Sequence, residues 1–376
     1  IECSIQMTGA VGRRRLRLLI LPHNVSQDMD FRAEALLRNF DDIEVHAFTT
    51  HVNKMVPSQY CKPLPAGLLS RNPFKRVTAW LQYRSILRRE LAWADIVQWY
   101  WDFNYLPFFR IPVEGDLLRK AGKKSLVIWC GSEIRNPDTD KAINPYYRRE
   151  VESGQYEYRF ESARRSRTTQ RAFHRLGFLP LEFIGMGHYI DPELFPHRHR
   201  IYQLVGLDRF EPHYPSPTNE RPLVVHSASK TGAKGTAYVT EAVARLQRNY
   251  NFDFQLLHDM AKEEALDWVR RCDLFLDQFI AGMHGTAAVE AMAYGKPVVG
   301  YINPFIGKDY PADLPIHRAS PDDLAGVLAP LLGSGEMRHQ SGKNSRAYVE
   351  KYHDDRRNAE DLHELYFRLA GISSKQ

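Results

Sequence analysis

DQFIAGMHGTAAVEAMAYGKPVVG, residues 277–300, is the most patterned stretch of the chain. It divides into a glycine-punctuated loop (Gly282, Met283, His284, Gly285), a short helix of small residues over 286–294 stopped by Gly295, and a buried β-run from Val298. Gly295 suits the left-handed turn that closes a helix. A glycine loop feeding a helix offers unpaired backbone N–H groups at the positive end of the helix dipole, an arrangement that binds phosphate. Ala287, Ala288, Ala291 and Ala293 let this helix lie close to its neighbours, and Glu290 is its one acid. Periodicity alone also describes a surface helix with one solvated glutamate.

Outward from this stretch, apolar runs alternate with helical spacing. Residues 16–22 form a continuous apolar strand, 27–40 carry Phe31, Ala35, Leu36 and Phe40 at helical intervals, and 43–48 form a second strand. This β-α-β rhythm predicts a doubly wound parallel sheet, whose ligands gather at the carboxyl ends of the strands. His23, Asn24 and Ser26 occupy the first such crevice, where His23 either meets a ligand or serves packing. A strand over 95–99 opens into the aromatic run 100–109, which contains Trp101 and suits either a sugar ring or lipid tail or a core. Another strand ends in Cys130, Gly131, Ser132, Glu133, Ile134 and Arg135.

A second α/β unit starts with the strand 223–226 and the Ser/Gly loop 227–236, in which Lys230 and Lys234 precede Gly235 and a helix. Lysine at such a helix start suits a diphosphate, although the glycine spacing of a P-loop is absent. The next strand ends at His258, and its end in such folds meets the base of a nucleotide. Pro212, Pro215, Pro217 and Pro222 mark the connecting loop. The expected division is 1–195, 196–350 and a tail at 351–376 crossing back onto the first domain.

With 376 residues, 43% apolar and 12% aromatic, the chain is globular and long enough for two domains. No apolar run approaches the ~18 residues of a membrane span, and Arg13-Arg14-Arg15 before residues 18–21 reads as the approach to a strand rather than a signal peptide. Cys3, Cys61, Cys130 and Cys272 lie far apart, as suits free thiols in a reducing cytoplasm and no metal site. The net charge of +6 suits an anionic partner. Residues 74–91 have Val77, Trp80, Leu81, Leu87 and Leu91 on one expected face and several arginines elsewhere. They read as a domain helix with a solvated basic face or as a peripheral contact with an anionic membrane. The arginines of 164–175 are preceded by glutamates, which favours a solvated helix over a nucleic-acid groove.

Gly285 and the run Glu290-Ala291-Met292-Ala293-Tyr294-Gly295-Lys296-Pro297-Val298 resemble the nucleotide-sugar segment of GT-B glycosyltransferases, in particular the retaining family 4 of bacterial type. The resemblance implies two Rossmann-like domains facing across a cleft and transfer from a nucleoside-diphosphate sugar, with retention and without metal or cofactor. The acceptor would be a glycan, a lipid-linked sugar or a small molecule, and the usual setting of such relatives is bacterial surface-polysaccharide assembly. It assigns the ribose hydroxyls to Glu290 and the donor phosphates to Lys234, with Lys230 as a second candidate and the amides at Gly285 and Thr286 assisting. The earlier acid of the family's pair falls on Gly282. Residues 130–135 resemble a His-Gly-Ser-Asp-x-Arg turn in which Cys130 replaces histidine and Glu133 replaces aspartate. Lys234, Glu290 and Glu133 are therefore the catalytic candidates, and His23, Asn24, Trp101, Cys130, Gly131, Ser132 and Arg135 the acceptor-side ones. The rival readings are a nucleotide-sugar epimerase on the same fold and a binding-only relative.

Overall fold

A computed structural model describes residues 14–50, 59–103, 114–156 and 161–372. Its first sheet contains β1 (Leu16–Leu21), β2 (Ile43–Thr49), β3 (Cys61–Pro63), β4 (Ile96–Tyr100), β5 (Lys124–Ile128), β6 (Phe178–Phe183) and β7 (His199–Ile201), in the order β3-β2-β1-β4-β5-β6-β7. The second contains β8 (Leu223–Ser227), β9 (Asp253–Leu257), β10 (Leu274–Leu276), β11 (Val298–Gly300) and β12 (His317–Arg318), in the order β12-β11-β10-β8-β9. All strand pairs within them are parallel. β7 pairs with β6, so the first sheet runs past residue 196, where the sequence suggested the division. Its His199 ring nitrogen lies 2.6 Å from an oxygen of Asp361.

Both faces of the first sheet are buried, which is why its strands read as nearly unbroken apolar runs. Leu16, Leu18 and Ile20 point to one face, with Met29, Ala33 and Leu36 of α1 (Asp28–Asn39) and with Leu362, Leu365 and Tyr366 of the carboxyl-terminal Asp355–Ala370 helix. That helix thus lies on the first domain, where His363 Nε2 is 2.7 Å from Asp42 and Tyr366 donates a hydroxyl hydrogen bond to Gln98. Leu19, Leu21, Val97 and Trp99 point the other way, against Phe173 and against Tyr83, Leu87 and Leu91 of α2 (Pro73–Trp93).

The sequence expectation for α2 needs correction. Its buried face is Ala79, Tyr83, Leu87 and Leu91, whereas Val77 and Leu81 face solvent. Both sets have helical spacing, so apolar periodicity did not separate them.

The two domains meet through polar and apolar contacts. Asn144 Nδ2 donates to Ile280 O at 2.7 Å, Asn303 Nδ2 to Ile143 O at 3.0 Å, and Tyr238 to Glu150 Oε1 at 2.7 Å. One apolar cluster contains Met186 of the first domain together with Met283 and Tyr310 of the second. Among the described residues, no helix is long and apolar enough to cross a membrane.

Candidate functional site

A cleft of about 570 Å³ opens where the carboxyl ends of both sheets converge. Gln27 follows β1, Cys130 and Arg135 follow β5, and Met186 follows β6; Ser227 closes β8 and Gln278 follows β10. Parallel sheets direct their strand-end loops to one edge, so this is where ligand-binding side chains collect. The cleft brings together the sequence candidates Lys234, Met283, His284, Gly285, Thr286 and Glu290 with Cys130 and Arg135 across from them.

The Thr286–Ala293 helix starts on the second-domain wall. The sequence expectation left the Gly285 amide free for a phosphate, and the structure corrects it: Gly285 N–H donates to Asp277 Oδ2 at 2.7 Å. The other oxygen of this fully buried carboxylate lies 3.2 Å from Lys234 Nζ. The next two amides, of Thr286 and Ala287, have no acceptor among the described residues, and both residues line the cleft. These N–H groups and Lys234 form the positive end of the site. Glu290 stands one helical turn further along, with Oε1 3.1 Å from Lys262 Nζ. Lys262 also donates to Gln27 Oε1 of the first domain at 3.4 Å.

His284 is buried with both ring nitrogens lacking a hydrogen-bond partner, and burial lowers its pKa, so the ring is neutral. It packs 5.0 Å from the Tyr310 ring and 5.9 Å from that of His353. His226, beneath this wall, is pushed down to about 4 by burial and is held between Leu276 O and Thr236 Oγ1, each at 3.0 Å.

Other candidates lie elsewhere. Gly282 has φ of 77°, and a Cβ there would stand 2.7 Å from Asn303 Cβ and 3.2 Å from Asn144 Nδ2. A side chain at this position would strain the backbone and displace Asn303, which is the steric reason for glycine where the resemblance expects an acid. Gly235 likewise packs under Phe279, with φ of 73°. Lys230 is exposed outside the cleft lining, and His258 is exposed with Nδ1 2.7 Å from Ala228 O.

Residues 130–135 form a tight turn closed on Gly131 O by the N–H groups of Ile134 and Arg135. Glu133 is fully buried inside it and accepts Cys130 N–H, so its carboxyl caps the turn and does not reach the cleft surface. Burial pushes that carboxyl up to about 7 despite its backbone donors. Gly131 and Ser132 belong to the same turn outside the cleft lining, while Arg135 pairs with Glu161 at 3.1 Å. The Cys130 thiol is pushed well up, by burial first and then by Glu133, and is a neutral group.

His23 and Trp101 sit together at the ends of β1 and β4, ring centroids 6.4 Å apart, with His23 Nδ1 2.5 Å from Thr50 Oγ1. Asn24 holds Asp30 at 2.6 Å and accepts Met29 N–H, which makes it part of the start of α1. Most of the aromatic run, 104–109, lies outside the described residues. Trp101 (φ 73°) and Gln27 (φ 62°) both hold left-handed backbone without being glycine, a strained conformation that concentrates at functional edges. Sequence reasoning missed Asp277, Lys262 and Gln27. Among the described residues, no cluster of three or more His, Cys, Asp or Glu could hold a metal ion.

No protein-family model and no curated protein sequence matches the chain. Solved structures do. Sucrose-phosphate synthase from Thermosynechococcus elongatus superposes with a TM-score of 0.63 at 15% identity, covering 96% of this chain and all (100%) of that one. Anabaena HepE in complex with UDP gives 0.56 at 12% identity, covering 93% and 99%. A UDP-N-acetylglucosamine 2-epimerase gives 0.55 at 9% identity, covering 97% and 99%. The two parallel-sheet domains therefore have the GT-B fold, shared by glycosyltransferases and by such epimerases.

Proposed function

We propose that the protein is a glycosyltransferase that moves a sugar from a nucleoside-diphosphate sugar to a carbohydrate or lipid-linked acceptor. The observation that carries this reading is the pairing, on one cleft wall, of Lys234 and the Thr286 and Ala287 amides with Glu290 one turn along the same helix. The cation and amides suit a diphosphate, and the carboxylate suits ribose hydroxyls. Charge developing on the leaving diphosphate would be stabilised by Lys234 and the helix end, so the reaction needs no metal. The similarity to HepE in complex with UDP favours a uridine donor.

Retention, as in family 4, is part of this proposal. Glu133 is buried in its turn, and neither His23 nor Glu133 lines the cleft as a base for inverting attack. A role in polysaccharide assembly follows from the same resemblance.

The test is a thermal-shift series with UDP, GDP and ADP and their sugars, with and without magnesium, followed by turnover of the nucleotide sugar that binds. A ligand bound only by the native state raises the melting temperature by mass action. A metal-independent shift and acceptor-dependent release of nucleotide support transfer. Consumption of donor without acceptor would favour the epimerase reading, and no shift with any nucleotide would overturn both.

A further inference from the structure

The start of α2 carries a surface that the cleft does not use. Asn72 caps this helix by accepting the N–H groups of Phe74 and Lys75, and Pro73 opens its first turn. Phe74, Val77 and Leu81 are 83%, 56% and 58% exposed, half of the large exposed apolar side chains among the described residues. Their spacing of three and four puts them on one stripe. The helix already buries a separate face through Ala79, Tyr83, Leu87 and Leu91, so this stripe is not core.

The charge around it is one-sided. Residues 45–89 contain eight Lys and Arg and no Asp or Glu. Arg84 is tied to Asp116 at 2.8 Å and Arg89 to Glu90 at 2.8 Å, whereas Arg71, Lys75 and Arg76 are exposed and form no ion pair among the described residues. Exposed apolar side chains set among unpaired cations match the anionic headgroups and apolar interior of a bilayer. A second copy would bring the same positive charge against itself, and a nucleic acid has no place for the apolar stripe.

We propose that the amino-terminal half of α2 docks the protein onto an anionic lipid bilayer. Phe74, Val77 and Leu81 enter the interface, while Arg71, Lys75 and Arg76 meet the headgroups. The placement is consistent with access to the cleft. Just after the far end of α2, Asp95 N–H donates to Arg17 O at the amino-terminal edge of the sheet. Its 21 residues span ~31 Å, which carries Phe74 toward the carboxyl edge where the cleft opens. This inference does not depend on the proposed reaction.

Co-sedimentation with vesicles of phosphatidylcholine alone, or of phosphatidylcholine with phosphatidylglycerol, tests it on the whole chain. The protein is expected to bind the anionic vesicles only, and less as salt is raised. Phe74→Ser/Val77→Ser/Leu81→Ser should lower that partitioning about tenfold or more with no fall in melting temperature, because these side chains are exposed. Lys75→Glu/Arg76→Glu should abolish the preference for phosphatidylglycerol. Absence of wild-type binding, or wild-type binding by both variants, overturns the proposal. So does a self-associated wild type that ignores vesicles and becomes monomeric in the apolar variant, since the stripe would then be an interface between copies.

Discussion

Lys234 Nζ and Asp277 Oδ1 lie 3.2 Å apart, and the same carboxylate accepts Gly285 N–H at 2.7 Å. A protein anion thus balances the lysine proposed to meet the donor phosphates. Asp277→Asn keeps an acceptor for Gly285 but leaves Lys234, with 17% of its side chain exposed, without its counter-charge. We expect a loss of about 1–3 kcal/mol in stability, less than for a fully buried pair because Lys234 retains some water. A diphosphate would supply the missing charge, so saturating UDP should raise the melting temperature more in this variant than in the wild type. Equal rises would mean that Lys234 does not meet the phosphates.

The two ends of the site should separate by ligand. Lys234→Ala is expected to weaken UDP by about tenfold or more while changing uridine little, as for a charge-assisted contact to phosphate alone. Glu290→Ala should weaken both, because it removes a contact to the nucleoside. Titration calorimetry reads each affinity. The double variant Lys234→Ala/Asp277→Asn leaves no unpaired buried charge and guards against mistaking instability for lost binding. Wild-type affinity in the Lys234 and Glu290 variants would remove both residues from the site.

Gly282 offers a test of domain packing. With φ of 77° and a Cβ position 2.7 Å from Asn303 Cβ, it cannot take a side chain without moving the Asn144–Ile280 and Asn303–Ile143 contacts. Gly282→Ala should destabilise by about 2–4 kcal/mol, combining backbone strain with the steric contact. Urea unfolding measures this, and a loss within ~0.5 kcal/mol would mean that the domains do not close on this glycine as the structure has them.

Local pattern accounts for what could be read before the structure. The apolar runs at 16–22 and 223–226, with helices between strands, carry the doubly wound sheets, because strands buried on both faces advertise themselves. Glu290 stood out as the one acid of a small-residue helix, and Lys234 as one of two lysines in a Ser/Gly loop. Asp277 begins the 277–300 stretch, yet its partners lie 43 and 8 positions away, and no local rule pairs them. Lys262 and Gln27 meet across 235 positions, which only the docking of two domains can arrange. Glu133 was assigned by residue type, and type does not tell whether a carboxyl in a tight turn points outward or caps its own backbone.

Acid stability should divide between buried histidines and a buried glutamate, which act with opposite signs. His353 is pushed down to about 3, by burial first and then by His284, from an ordinary value of 6.5. Its contribution is complete above pH 6.5 and is lost as pH falls toward 3, because the unfolded chain takes up the proton that the folded one refuses. Glu133 is raised from 4.5 to about 7, so its contribution is complete below pH 4.5 and is lost as pH rises through 7. Between pH 7 and 5 His353 therefore weakens the fold by roughly 2 kcal/mol, and His226, which burial pushes down to about 4, does so by a similar amount, while the glutamate offsets about one of these losses. Urea titrations across this range should show that His353→Gln flattens the acid loss of the wild type and Glu133→Gln steepens it. Parallel profiles for all three proteins would mean that neither group is buried in the ionisation state assigned to it.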